Sequence, residues 1–165
     1  MPNSNQPDTT EARQYAQYID RLVGYILKEI EPLSDEVLNQ ALPISDTNTL
    51  FAICTHVVGM GEFWVLSLVG DQQVDRNRAE EFLATGQGDA LNIRFKQWVQ
   101  DCYQLLETLS AADLNEYATP PAEYSLTGGF SDTPMTKREC LLHVVEHTAT
   151  HLGHIQISCQ LLAQS

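Results

Sequence analysis

Five histidines occur in the chain, and four of them, His143, His147, His151 and His154, fall within one twelve-residue stretch. A helix turns by about 100° per residue. Measured round the axis from His143, His147 falls at about 40°, His151 at about 80° and His154 at about 20°. All four therefore share one narrow face. Leu142, Val145, Leu152 and Ile155 leave no cleanly separate apolar stripe, so that face is expected to turn partly inward. A buried imidazole needs a hydrogen-bond partner, and metal binding gives several stacked imidazoles a common purpose. The bland alternative is a helix whose histidines are merely packed or solvated.

His147 and His151 stand four residues apart, about 6 Å along a helix axis. Two imidazoles at that spacing can reach one ion at about 2.1 Å. Zinc proteases use the same spacing on a helix, but the positions that would carry their glutamate are Thr148 and Ala149 here, which excludes that chemistry. A third ligand must come from elsewhere, and His56, in THVVGMGEFW, is the one histidine left. Two ligands from one helix and a third from a facing helix make a workable site in a bundle core. Three protein ligands leave positions open for water or substrate, the pattern of a catalytic ion. Imidazoles accept zinc, nickel, iron and copper alike.

Other residues stand near this triad in the sequence. His143 and His154 could replace a ligand or support one. His154 and Glu146 are candidate proton carriers, although Glu146 lies about 100° from His147. Glu62 points elsewhere, and Cys140 reads as a small buried residue. Phe63, Trp64 and Trp98 either line a pocket or pack in the core.

The elements that must position these residues follow from apolar spacing. Tyr15, Tyr18, Ile19, Leu22, Val23, Ile26, Leu27 and Ile30 recur at three and four, the mark of a helix with one buried stripe. Thr9 or Thr10 would cap it, and Pro32 marks its end. Residues 34–39 read as a short helical turn. A second long helix runs from Asn48 or Thr49 to about Val69, and Gly70-Asp71 stops it. Its glycines, Gly59 and Gly61, would let a neighbouring group come close. A short helix is expected around Arg78 to Leu83. Asp89 could cap a third long helix with the stripe Leu91 to Leu109. Residues 110–135 form a long connection. Thr136-Lys137-Arg138-Glu139 is a capping-box pattern opening a fourth helix that reaches about Ala163. No alternating run argues for a sheet. Four long amphipathic segments are best buried as an all-α, four-helix bundle, with the helix order left open.

The 165 residues are 43% hydrophobic, which supports one domain over 1–165, with residues 1–9 expected to be disordered. Nine Lys and Arg against 22 Asp and Glu give a net charge of −13. Such a chain repels phosphate backbones and anionic lipid, so no nucleic-acid or membrane partner is expected. The polar N-terminal residues lack the basic cluster and apolar run of a signal peptide, and a cytoplasmic location is expected. Cys54, Cys102, Cys140 and Cys159 are widely spaced, with no CxxC pair, and read as free thiols.

These residues resemble the DinB-like (DinB/YfiT-like) superfamily of metalloenzymes. The likeness rests on THVVGMGEFW around His56 and on LLHVVEHTATHLGHI around His147 and His151, about ninety residues apart, together with the early helix Tyr15 to Ile30. It covers the chain from about Glu11 to Leu162. GEFWVLSLVG and HTATHLGHI are similar to the mycothiol-dependent maleylpyruvate isomerase branch, whose closing His-Gly-His pattern matches His151, Gly153 and His154. That branch often has glutamate where His147 stands, and its second domain is not expected within these 165 residues. The resemblance implies a four-helix bundle with a crossover and a divalent ion, usually zinc or nickel, held by His56, His147 and His151. It also implies a low-molecular-weight thiol as cofactor, a small-molecule substrate and homodimers.

Three functions follow as expectations. The first is a thiol S-transferase, or an isomerase using a thiol, acting on a small electrophile. The second is a metal-dependent hydrolase activating water. The third is a non-enzymatic metal-binding stress or sensor protein.

Overall fold

The computed structural model describes residues 10–121 and 134–164. The expectation of disorder over residues 1–9 and the middle of the long connection lie outside the described residues. Among the described residues six α-helices appear in chain order: α1 (Glu11–Ile30), α2 (Asp35–Leu38), α3 (Leu50–Glu62), α4 (Arg78–Glu81), α5 (Gly88–Leu106) and α6 (Lys137–Leu162). The fold is all-α with long connections, as its sequence pattern requires.

Capping explains where the helices begin. Thr10 and Thr49 accept the backbone N–H of Arg13 and Ala52, which fixes the starts of α1 and α3. Thr136 and Glu139 complete the capping box of α6 reciprocally. Each such cap contributes about 1 kcal/mol. At α5 the expectation fails. The cap position is Gln87, without a side-chain bond, and Asp89 sits inside the first turn. There its carboxylate still favours the helix dipole.

The second long helix does not run uniformly to Val69. After Glu62 it widens into a π-helix over Phe63–Val69, directly beyond Gly61, against which the Trp98 ring is pressed. An apolar run carries no sequence mark of this change, because Phe63, Trp64 and Val65 are buried either way. The stop uses Asp71, not Gly70, in the left-handed region (φ 54°), and the Asp71 carboxylate pairs with Lys137 Nζ at 3.1 Å. A two-residue antiparallel ribbon joins β1 (Tyr117–Ala118) to β2 (Met135–Thr136), and it brackets the long connection. Two residues a strand are too few to leave an alternating pattern.

The helix order, open from sequence, is now defined. The α1 helix packs on α5 and α6, and α3 with its π extension packs on the same two, so α1 and α3 are diagonal. The connections from α1 to α3 and from α5 to α6 therefore cross the bundle, whereas α3 and α5 are neighbours. The core between them is closed by Ile19, Ile26, Val57, Phe95, Trp98 and Leu141, all essentially buried. The α1 stripe is finished by Ala12 and Ala16, whereas Tyr18 turns out to solvent. Leu50–Val69 is long and apolar enough to cross a membrane, but 78% of it is buried inside the bundle. Its packing inside the bundle thus accounts for its hydropathy.

Candidate metal centre

His56 lies in the middle of α3, and His147 and His151 lie one turn apart on α6, on the helix face that packs toward α3. The three rings form a triangle. Centroids are 5.0 Å apart for His56–His147, 5.1 Å for His56–His151 and 4.5 Å for His147–His151. One ligand nitrogen from each lies within 4.8 Å of the other two. His56 Nε2 and His147 Nε2 are 3.3 Å apart. Two nitrogens bound tetrahedrally to one ion at about 2.0–2.1 Å would stand about 3.3–3.4 Å apart, so this pair already has a ligand separation.

His56 is buried and anchored. Glu81 Oε2 lies 2.8 Å from its Nδ1. An ionised carboxylate only accepts, so His56 donates from Nδ1, and its Nε2 faces the cluster. Burial pushes the Glu81 pKa up, but hydrogen bonds from His56 and Arg76 outweigh it and hold the carboxyl below its ordinary value. Arg76 donates from Nε to Oε1 at 2.7 Å and from Nη2 to Oε2 at 2.9 Å. Phe82, the next residue, rests on the His56 ring at 4.5 Å.

The α6 pair is held differently. His147 Nδ1 is buried with no hydrogen-bond partner among the described residues. His151 Nδ1 faces His154 Nδ1 at 3.3 Å, which leaves its Nε2 for the centre. Burial, then the neighbouring histidines, lowers the His147 pKa to about 2. The same causes bring His151 to about 4. Both imidazoles are therefore neutral at pH 7, the form that ligates. The donor set, the ligand-like spacing of the His56 and His147 nitrogens and the protonation states all fit a divalent ion.

The remaining histidines flank this triangle. His143 packs on Trp64 at 4.3 Å and edge-on to His147, and burial depresses its pKa. His154 is exposed. Glu146 is exposed too, and its charge is felt by His143. Glu62 forms a two-bond pair with Arg94 and lies outside the cluster. Trp98 is core, packed beside Gly61. The cysteines are free, and burial pushes the thiols of Cys54 and Cys102 well above their ordinary value and that of Cys140 up to about 12.

A cavity of about 380 Å³ opens beside the cluster. His151, His154 and Phe82 form part of its wall, and Leu42, Ile53 and Leu161 continue it. No Lys or Arg among the described residues lines it, and Asp46 is at its edge. A second, polar cavity of about 340 Å³ lies against Arg76 and Glu81, on α3's side at Gly59. Neither Glu81 nor Arg76 is marked by the sequence. Both belong to a polar stretch with no apolar period, and Glu81 stands 25 residues along the chain from the histidine it serves.

A family model described as the DinB superfamily matches residues 18–155. The chain belongs to the DinB superfamily. The match is to this superfamily at large and does not single out its isomerase branch. Two solved structures share the DinB fold. One is a conserved protein from Enterococcus faecalis, with TM-score 0.71 and 10% identity, covering 94% of this chain and 99% of that one. The other is a DinB-like protein from Bacillus cereus, with TM-score 0.67 and 16% identity, covering 88% and 89%. No curated protein matches the sequence.

Proposed function

We propose that this DinB protein is a metal-dependent enzyme that transfers a low-molecular-weight thiol to a small, uncharged electrophile. His56, His147 and His151 would hold the divalent ion, zinc or nickel. The observation that carries the reading is the triangle of imidazoles, neutral at His147 and His151, with one edge, His151, in the wall of an open cavity. The bound ion supplies Lewis acidity, which lowers the pKa of a thiol so that a thiolate exists at neutral pH.

The chain's own residues support the rest. No cysteine among the described residues lines the cavity beside His151, and burial raises the pKa of all four thiols, which supports a thiol supplied from outside. Leu42, Ile53, Phe82 and Leu161 offer an apolar surface for the acceptor, and a carboxylate placed there would meet Asp46 and no Lys or Arg among the described residues. His154 would carry the thiol proton to solvent, a role supported by its exposure and its contact with His151. The likeness of GEFWVLSLVG and HTATHLGHI to a thiol-using branch adds weight.

The test is to load metal-free protein with zinc or nickel and follow thiol loss with 1-chloro-2,4-dinitrobenzene, using a panel of mycothiol, bacillithiol and glutathione. The carbon–sulfur bond forms, chloride leaves and the thiol proton goes to solvent. Metal-dependent thiol loss that disappears in His151→Ala is expected. Normal metal uptake without thiol loss across the panel contradicts the proposal, and hydrolysis indifferent to thiol would replace it.

A further inference from the structure

Arg76 and Glu81 sit in the stretch between the π-helix and α4 and the end of α4, neither of which carries a ligand. The Arg76 side chain is only 4% exposed, and the Glu81 side chain 7%. A buried guanidinium is tolerated when it is paired and hydrogen-bonded. Here its planar fork grips both carboxylate oxygens, which fixes the plane of the carboxylate as well as its place. Gly59 supplies a further constraint. A Cβ there would stand 2.5 Å from Glu81 Oε1, so the carboxylate lies directly on the α3 backbone. What it gains by that position is His56 Nδ1 at 2.8 Å.

The consequence is directional. An imidazole with a free choice of tautomer presents a lone pair from either nitrogen. His56 has no such choice while Glu81 is held. We propose that Arg76 is a positioning residue for the metal centre, acting through Glu81 to lock His56 as its Nδ1–H tautomer with Nε2 aimed at the ion. This rests on the metal-site reading above. The rival account is a salt bridge that stabilises the fold and leaves His56 indifferent.

The experiment uses metal-free protein labelled with ¹⁵N at histidine, read by long-range ¹H–¹⁵N spectra, with zinc titration by calorimetry alongside. Arg76→Lys keeps the charge and loses the fork. In the wild type His56 should be held as Nδ1–H. In Arg76→Lys its two nitrogens should move toward averaged shifts, and zinc affinity should fall about 10–100-fold. Wild-type tautomer or wild-type zinc affinity in folded Arg76→Lys overturns the proposal, and so does lost stability with an unchanged tautomer. Should Arg76→Lys not fold, Arg76→Gln, which keeps a donor for Glu81 and loses the paired fork, is read by the same spectra on the same terms. Wild-type protein that binds no zinc defeats the metal reading, whereas the tautomer in metal-free protein still decides whether Arg76 positions His56.

Discussion

The two sides of the histidine triangle are built on different principles. On the α3 side, His56 is fixed by a buried chain of polar contacts, from Glu81 to Arg76, with Phe82 against its ring. On the α6 side, His147 and His151 are fixed chiefly by the helix that carries them, with one buried nitrogen lacking a partner among the described residues and another facing the exposed His154. A wall held by charged hydrogen bonds thus faces one held by helix spacing and ring packing. The first abuts a polar cavity, and the other opens on the apolar one.

The sharpest way to break the comparison is Glu81→Ala. It strips a buried guanidinium of its carboxylate, so metal-free protein should lose about 3–5 kcal/mol in urea unfolding. A loss below about 1 kcal/mol, the scale of an ordinary surface pair, would mean that the α3 side is no more rigid than the α6 side.

Zinc should next close the difference between the walls. At a free concentration of about 100 times its Kd it should stabilise the wild type by about 2.7 kcal/mol. The gain should vanish in His147→Ala, as read by melting with and without chelator.

Acid should open the α6 side. The folded pKa values of His147 and His151, about 2 and about 4, lie below the ordinary 6.5. Below pH 6.5 the unfolded chain therefore takes up protons that the folded chain refuses. Metal-free stability should be complete above about pH 6.5 and fall as pH drops toward 4. His151→Gln, measured over the same range, should flatten part of that slope. The smallest effect belongs to His154→Ala, which removes an exposed ring and should change stability by no more than about 0.5 kcal/mol.

The half of the site carried by helix period was legible in the sequence. Four residues on a helix bring His147 beside His151 whatever surrounds them, and His56 was the remaining histidine. The four long helices followed from their apolar stripes for the same reason. What escaped was whatever depends on chain segments meeting. Glu81 and Arg76 gain their role because a polar loop folds back onto Gly59, and no local period records that. Gly59 and Gly61 did signal a close approach, but the approaching groups, a carboxylate and the Trp98 indole, could only be seen in the fold. The diagonal placement of α1 and α3 was hidden in the same way.

Zinc uptake by metal-free protein tests the central claim most directly. Calorimetric titration should give one zinc per chain for the wild type and no measurable binding for His56→Ala, a variant on the opposite helix from the other two ligands. One zinc bound with unchanged affinity in folded His56→Ala would contradict a centre shared between α3 and α6.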